Sequence, residues 1–173
     1  MNNSFRQRIT VLFARAFTRW PTLGRLWSKV APIKVSADIP WTPMLKSLSD
    51  SSVCLITTGG LHTNTDVPFN MDDPQGDPTF RLIPSTATQG DLKITHNYYD
   101  HADADRDFNI IFPLERMREL AAAGVLRGVT STHYSFMGHI DGPHVARLED
   151  EILPVLLERI RSERPDFVFL TPS

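Results

Sequence analysis

The chain has one cysteine among its 173 residues, Cys54. That excludes an intramolecular disulfide and a metal cage built on several thiolates, and it suits the reducing, cytoplasmic setting expected for this protein. No apolar run approaches the ~20 residues that a transmembrane helix needs. Acidic side chains are missing from the first 37 residues, which carry Arg6, Arg8, Arg15, Arg19, Arg25, Lys29 and Lys34. The remainder is acidic overall, so the body lacks the charge for nucleic acid, whose binding is driven by phosphate neutralisation. The G-x-G-x-x-G spacing is absent too, which removes the dinucleotide-binding fingerprint. What is present is ordinary: 41% hydrophobic, 22% charged and a net charge of −2. This is a globular profile, of a length that supports one domain with a hydrophobic core.

Three parts follow. Residues 1–30 form a basic arm in which Phe5, Ile9, Leu12, Phe13, Ala16, Phe17 and Trp20 share a helical face over residues 4–20. Such a face packs on its own domain or a subunit; contact with a membrane surface is the less favoured use. Residues 31–51 are a connector in which Pro32, Pro40 and Pro43 forbid a continuous helix, with Trp41 holding it down. Residues 52–173 form the main domain, read as the amino-terminal part of a larger one.

The spacing predicts strands over 53–58, 108–112, 126–132 and 166–170 and helices over 113–124 and 143–161, with Pro154 kinking the second helix. Leu114, Met117, Leu120 and Ala121 are expected to face inward from the first helix, and Val145, Leu148, Ile152, Val155, Leu156 and Ile160 from the second. Alternation of this kind specifies an α/β fold, a parallel sheet layered in flavodoxin or Rossmann-like manner and incomplete at its carboxyl end. Residues 61–92 read as a long irregular excursion that packs down through Phe69, Phe80, Leu82 and Ile83. Its Asp72, Asp73 and Asp77 lack calcium-loop spacing and read as turn formers.

The polar groups gather in loops. Between Asp91 and Pro113 the chain reads DLKITHNYYDHADADRDFNIIFP, packing His96, Asp100, His101, Asp103, Asp105 and Asp107 ahead of an apolar run. His62 and Asp66 follow the first expected strand, and His133 and His139 follow the third. Loops at the carboxyl ends of parallel strands converge on one crevice, which would make His62 and His133 neighbours. The 96–107 cluster fits three roles: metal ligands, acid/base or substrate-binding groups, or a loop braced by aspartates that cap backbone amides. Cys54, inside a strand, reads as an inert small hydrophobe.

Four longer strings resemble the selenoprotein B family, the subunits of glycine, betaine and sarcosine reductases with the related D-proline reductase subunit. They are TTGGLHTNTDVPFN, GDPTFRLIPS, ITHNYYDHADADRDFNIIFPLERMRELAAAGV and STHYSFMGHI, in the family's order and spacing across residues 38–173. The resemblance implies reductive cleavage of a carbon–nitrogen bond in a small amino-acid-type substrate. It implies a selenocysteine or cysteine redox centre in a U-x-x-C or C-x-x-U motif, a pyruvoyl group on a partner subunit, and other reductase subunits or a second copy as partners. The motif follows the strand and turn written here as DFVFLTPS, so the redox residue is expected immediately after Ser173, and no catalytic residue of the centre is expected within the chain. The sequence therefore reads as a fragment ended at an in-frame UGA codon and without redox activity of its own. His62, Asp66, His96, Asp100, His101, Asp103, Asp105, His133 and His139 then form a wall toward substrate or partner, with no metal. The alternatives are a metal-dependent hydrolase or lyase using the His/Asp cluster, and a non-catalytic partner subunit docked through residues 4–20.

Overall fold

A computed structural model describes residues 20, 22, 25 and 42–172. The helix expected over 4–20, apart from Trp20, lies outside the described residues, as does Trp41 of the connector. Two compact units separate: Asn97–Asp100 group with the amino-terminal residues up to Leu45, whereas Lys46–His96 and the chain from His101 onward form the second. The second unit is described below.

Its centre is β1, Ser52–Thr57 (SVCLIT). A short β-branched, apolar run of this kind is buried on both faces in a parallel sheet, and Val53, Cys54, Leu55 and Thr57 are buried. On one side β1 pairs in parallel with β7, Phe167–Thr171, from Val53 opposite Phe167 to Thr57 opposite Thr171. On the other side it pairs in parallel with two short strands in succession, β5 (Gly128–Val129) and β6 (Thr132–Ser135). β3 (Arg81–Pro84) adds antiparallel to β6. A separate antiparallel hairpin joins β2 (Leu61–Thr63) to β4 (Leu92–Ile94). The fold is α/β, with a mixed and mostly parallel sheet. The long excursion after β1 is ordered and contains β2 and β3.

The strand expected over 126–132 is broken by a bulge. Val53 faces Val129 and Ile56 faces Tyr134, so the neighbour advances five residues while β1 advances three. The two extra residues leave backbone groups without ladder partners, and side chains take them up. Glu163 Oε2 accepts from Ser131 N (2.7 Å), Ser131 Oγ (2.8 Å) and Thr132 N (3.2 Å). His133 Nδ1 accepts from Leu55 N at 3.1 Å. At the opposite, amino-terminal edge, Asp166 accepts from Ser52 N (2.8 Å), Lys46 Nζ (2.6 Å) and Arg127 Nη2 (3.1 Å). Those hydrogen bonds, with that of Lys46 foremost, hold its carboxyl down at about 2.

Residues Phe108–Ile110 form a 3-10 turn, not the expected strand. In a strand, Phe108, Ile110 and Phe112 would share one face. Here Phe108 and Phe112 are buried and Ile110 is 62% exposed. That is the i, i+4 pattern of a helical corner. Asp107 caps the turn by accepting from Asn109 N. The corner packs on the Leu55–Thr57 face of β1, where Phe112 meets His133 edge-on (5.9 Å) and Thr57 Oγ1 lies 3.0 Å from the Ile111 carbonyl.

Helix α1, Leu114–Ala122, follows with Pro113 as its N-cap. It buries Leu114, whereas Leu120, expected inside, is 39% exposed. The opposite sheet face carries Cys54, Tyr134 and Phe136, covered by Leu148, Ile152, Leu156 and Ile160. These belong to the stretch formed by α2 (Pro143–Arg147), a π-helical segment (Leu148–Ile152) and α3 (Leu153–Glu163). The π turn restarts the ladder, which puts Pro154 in the first turn of α3, where no N–H is needed. Val145 and Val155, expected inward, are exposed.

The corner can be checked against a strand by two substitutions. Phe112→Ala should cost about 3–5 kcal/mol in urea unfolding, while Ile110→Ala should stay within about 0.5 kcal/mol. Equal losses at the two positions would restore the strand.

Candidate functional site

The carboxyl edge of the sheet gathers the ends of β1, β6 and β7. Thr57 Oγ1 accepts from Gly59 N (3.1 Å) and lies 3.2 Å from the Thr171 carbonyl, while Thr58 N donates to that same carbonyl at 3.1 Å. The chain then turns at Gly60, whose φ is +73°. Gly60 N donates to Phe136 O (2.8 Å), and its own carbonyl accepts from Thr95 N (2.8 Å). A Cβ at Gly60 would lie 2.5 Å from Thr95 O and 3.0 Å from the His96 Cβ. Only glycine permits that approach, and through it β1 sets the backbone from which His96 projects.

His96 is buried, and its ring hydrogen-bonds the Met137 backbone. Burial first, then the nearby charges of His101 and His139, lower its pKa to about 4. His139 is half-buried, with Nε2 3.0 Å from the Pro74 carbonyl. A carbonyl accepts only, so the neutral ring carries its proton on Nε2. His101 Nδ1 lies 2.7 Å from Asp105 Oδ2. His96, His101 and His139 are thus the sequence-identified residues that the fold brings together. Imidazoles at a strand end can donate or accept a proton and can hydrogen-bond an anion.

The other expected wall residues have different surroundings. His62 is buried, with Nδ1 2.8 Å from Thr63 O and Nε2 2.8 Å from Thr95 Oγ1, so it braces the β2–β4 hairpin. Asp66 closes the turn after β2 by accepting from Thr63 N (2.8 Å). Asp103 pairs with Arg106 at 3.2 Å on the exposed surface. Asp100 belongs to the other compact unit. His133 lies within β6 and not in a loop beyond it, so it does not converge with His62 as the strand pattern suggests. Its Nδ1 serves the sheet bulge, and its buried Nε2 has no hydrogen-bond partner among the described residues. Burial lowers its pKa to about 4. Cys54 contacts the carbonyls of Thr132 (3.7 Å) and Leu55 (3.8 Å), and burial pushes its thiol up to about 11.

Among the described residues no group of three His, Cys, Asp or Glu side chains is placed to hold a metal ion. No described helix is long and apolar enough to cross a membrane. The carbonyls of Met137 and Pro74, which orient the two site imidazoles, are backbone groups, and side-chain identity gives no sign of them.

Residues 24–159 match the family described as glycine/sarcosine/betaine reductase selenoprotein B. The D-proline reductase subunit gamma of Acetoanaerobium sticklandii is 35% identical over 131 residues, covering 76% of this chain and 52% of that protein. The sarcosine reductase complex component B subunit beta of Peptoclostridium acidaminophilum is 26% identical over 129 residues, 66% of this chain and 27% of that protein. The chain therefore spans about half the length of the first and about a quarter of the second. No solved structure matched the chain.

Two outcomes follow from the buried groups. His96 and His133 have folded pKa values near 4 against an ordinary 6.5. The folded state therefore favours their neutral forms: this stabilisation is full above pH 6.5 and is lost as pH falls toward 4. Each contributes a slope of about 1.4 kcal/mol per pH unit in that window, and His133→Gln should halve the total in urea titrations at successive pH values. A flat wild-type profile between pH 6.5 and 4.5 would contradict the burial of both rings. Cys54 should react with a chromogenic disulfide only after denaturant is added; a fast native reaction would show an accessible thiol.

Proposed function

The chain belongs to the glycine/sarcosine/betaine reductase selenoprotein B family, and from that membership we propose that it is a subunit of an oxidoreductase that reductively cleaves a carbon–nitrogen bond in a small amino acid or its N-substituted derivative. The observation that carries the proposal is the convergence of His96, His101 and His139 at the sheet edge where β7 delivers Thr171 beside Thr58. The relatives are named as subunits of D-proline and sarcosine reductases, which supports other reductase subunits as partners.

The redox residue is assigned to the position after Ser173, where the family motif would follow DFVFLTPS. The edge fits such a centre, because an imidazole beside a thiol or selenol can take up its proton and so favour its anion. Such a selenolate or thiolate would supply the nucleophile, and a dithiol would supply the two reducing electrons. Cys54 does not serve this role, since its thiol is buried and its pKa is about 11. The chain's own contribution is the imidazole wall. His96, held by the Met137 backbone, and His139, held by Pro74, present their rings to the substrate or to the subunit that brings its pyruvoyl group.

The test compares this chain with one extended past Ser173 through the redox motif, each with partner reductase subunits. Dithiol oxidation is followed in the presence of glycine, sarcosine, betaine or D-proline. Substrate-dependent oxidation is expected only from the extended chain. In that chain His96→Gln or His139→Gln should lower kcat/KM by at least about tenfold, within the range of a lost proton-transfer or positioning group. Equal activity with and without the motif would overturn the assignment.

A further inference from the structure

The segment 73–77 lies on the segment 139–144, and the contact centres on His139. Asp77 N donates to His139 O (3.3 Å), Asp141 N donates to Gln75 O (2.9 Å), and Gly76 bridges Ile140 in antiparallel fashion. The His139 ring reaches back to the Pro74 carbonyl, and His144 Nε2 pairs with Asp73 Oδ2 at 3.0 Å. Both the backbone and the ring of His139 are therefore held by one stretch of chain.

Gly76 is what allows it. Its φ is +87°, and a Cβ there would fall 1.7 Å from the His139 oxygen, 2.6 Å from the His139 carbonyl carbon and 3.0 Å from the His139 ring carbon Cδ2. The obstruction is mostly backbone, so neither segment can relieve it by a rotamer change. Any other residue must move the two segments apart and withdraw the Pro74 carbonyl from the ring.

We propose that Gly76 and the 73–77 turn are positioning elements of the candidate site, which hold the His139 ring with its Nε2–H directed at the Pro74 carbonyl. This rests on the reading of the histidine edge as functional and adds to it: the turn decides which nitrogen of His139 is committed to the backbone. Asp73 is the second fastener, through His144. The Asp73 carboxylate is kept ionised by hydrogen bonds from Gln75 N first and from His144.

The experiment uses 15N imidazole spectra of the full chain. Gly124 supplies the control, because it shares a positive φ (+74°) but a Cβ added there would meet nothing within 4 Å. Gly124→Ala should therefore carry the left-handed strain alone and keep the His139 pattern of one protonated and one unprotonated nitrogen. Gly76→Ala should lose it, with the two nitrogen signals moving toward an averaged position. Asp73→Asn, which leaves the backbone intact, should produce a partial shift in the same direction and serves if Gly76→Ala does not fold. An unchanged His139 pattern in folded Gly76→Ala, or in Asp73→Asn where the glycine variant does not fold, overturns the positioning role. The functional reading fails separately: His139→Gln without effect on the extended reductase would sink that reading, whatever the spectra of the glycine variants show.

Discussion

Strand β1 must satisfy hydrogen-bonding partners on both sides at once, and most of the fold follows from how it does so. On the β7 side the register runs unbroken for five residues. On the other side it cannot, because β5 and β6 present two residues more than β1 can match. An orphaned buried amide costs about 1–3 kcal/mol, so the surplus has to be absorbed. His133 absorbs it from within the sheet and Glu163 from the end of α3. The polar residues in the apolar centre are thus the condition for a strand with three neighbours.

The same constraint sorts the histidines. A ring that serves the ladder, His133, or a hairpin, His62, is committed by the fold. Beyond the last ladder bond, His96 and His139 are oriented by backbone carbonyls and lie near one another. Burial first, then the nearby charges of His101 and His139, keep His96 neutral. The edge presents imidazoles oriented by backbone groups, an arrangement suited to orienting a small zwitterion.

How much of this could be read from residues depends on what local chemistry announces. VCLITT before Gly59-Gly60 announces a buried strand, and DFVFL announces a second strand, because β-branched and aromatic runs ended by turn residues have few other uses; that second strand leaves Val168, Phe169 and Leu170 exposed. FNIIF announces nothing so definite. Apolar at every position but one, it fits a strand, and only the burial of its outer phenylalanines without Ile110 reveals a corner. THYS is hidden for the opposite reason: His, Tyr and Ser suggest a loop, and only the bulge makes them strand residues. The 96–107 cluster is legible as important but not as divided. Asp105 and Asp107 brace their own loop, Asp103 pairs with Arg106, and His96 joins residues forty positions away through a carbonyl that any side chain at 137 could have carried. The resemblance in long strings identifies the family where single residues cannot.

Glu163 has one more consequence. The last turn of a helix is ordinarily the first part to fray, because its carbonyls have no partners. Here that turn ends in a carboxylate bonded to two amides of the sheet bulge. Fraying α3 would strip Ser131 and Thr132 of their acceptor, and opening the bulge would leave the carboxylate without its donors. Helix end and sheet centre therefore open together, and hydrogen exchange should find them in one cooperative unit even though a whole helix separates them in sequence.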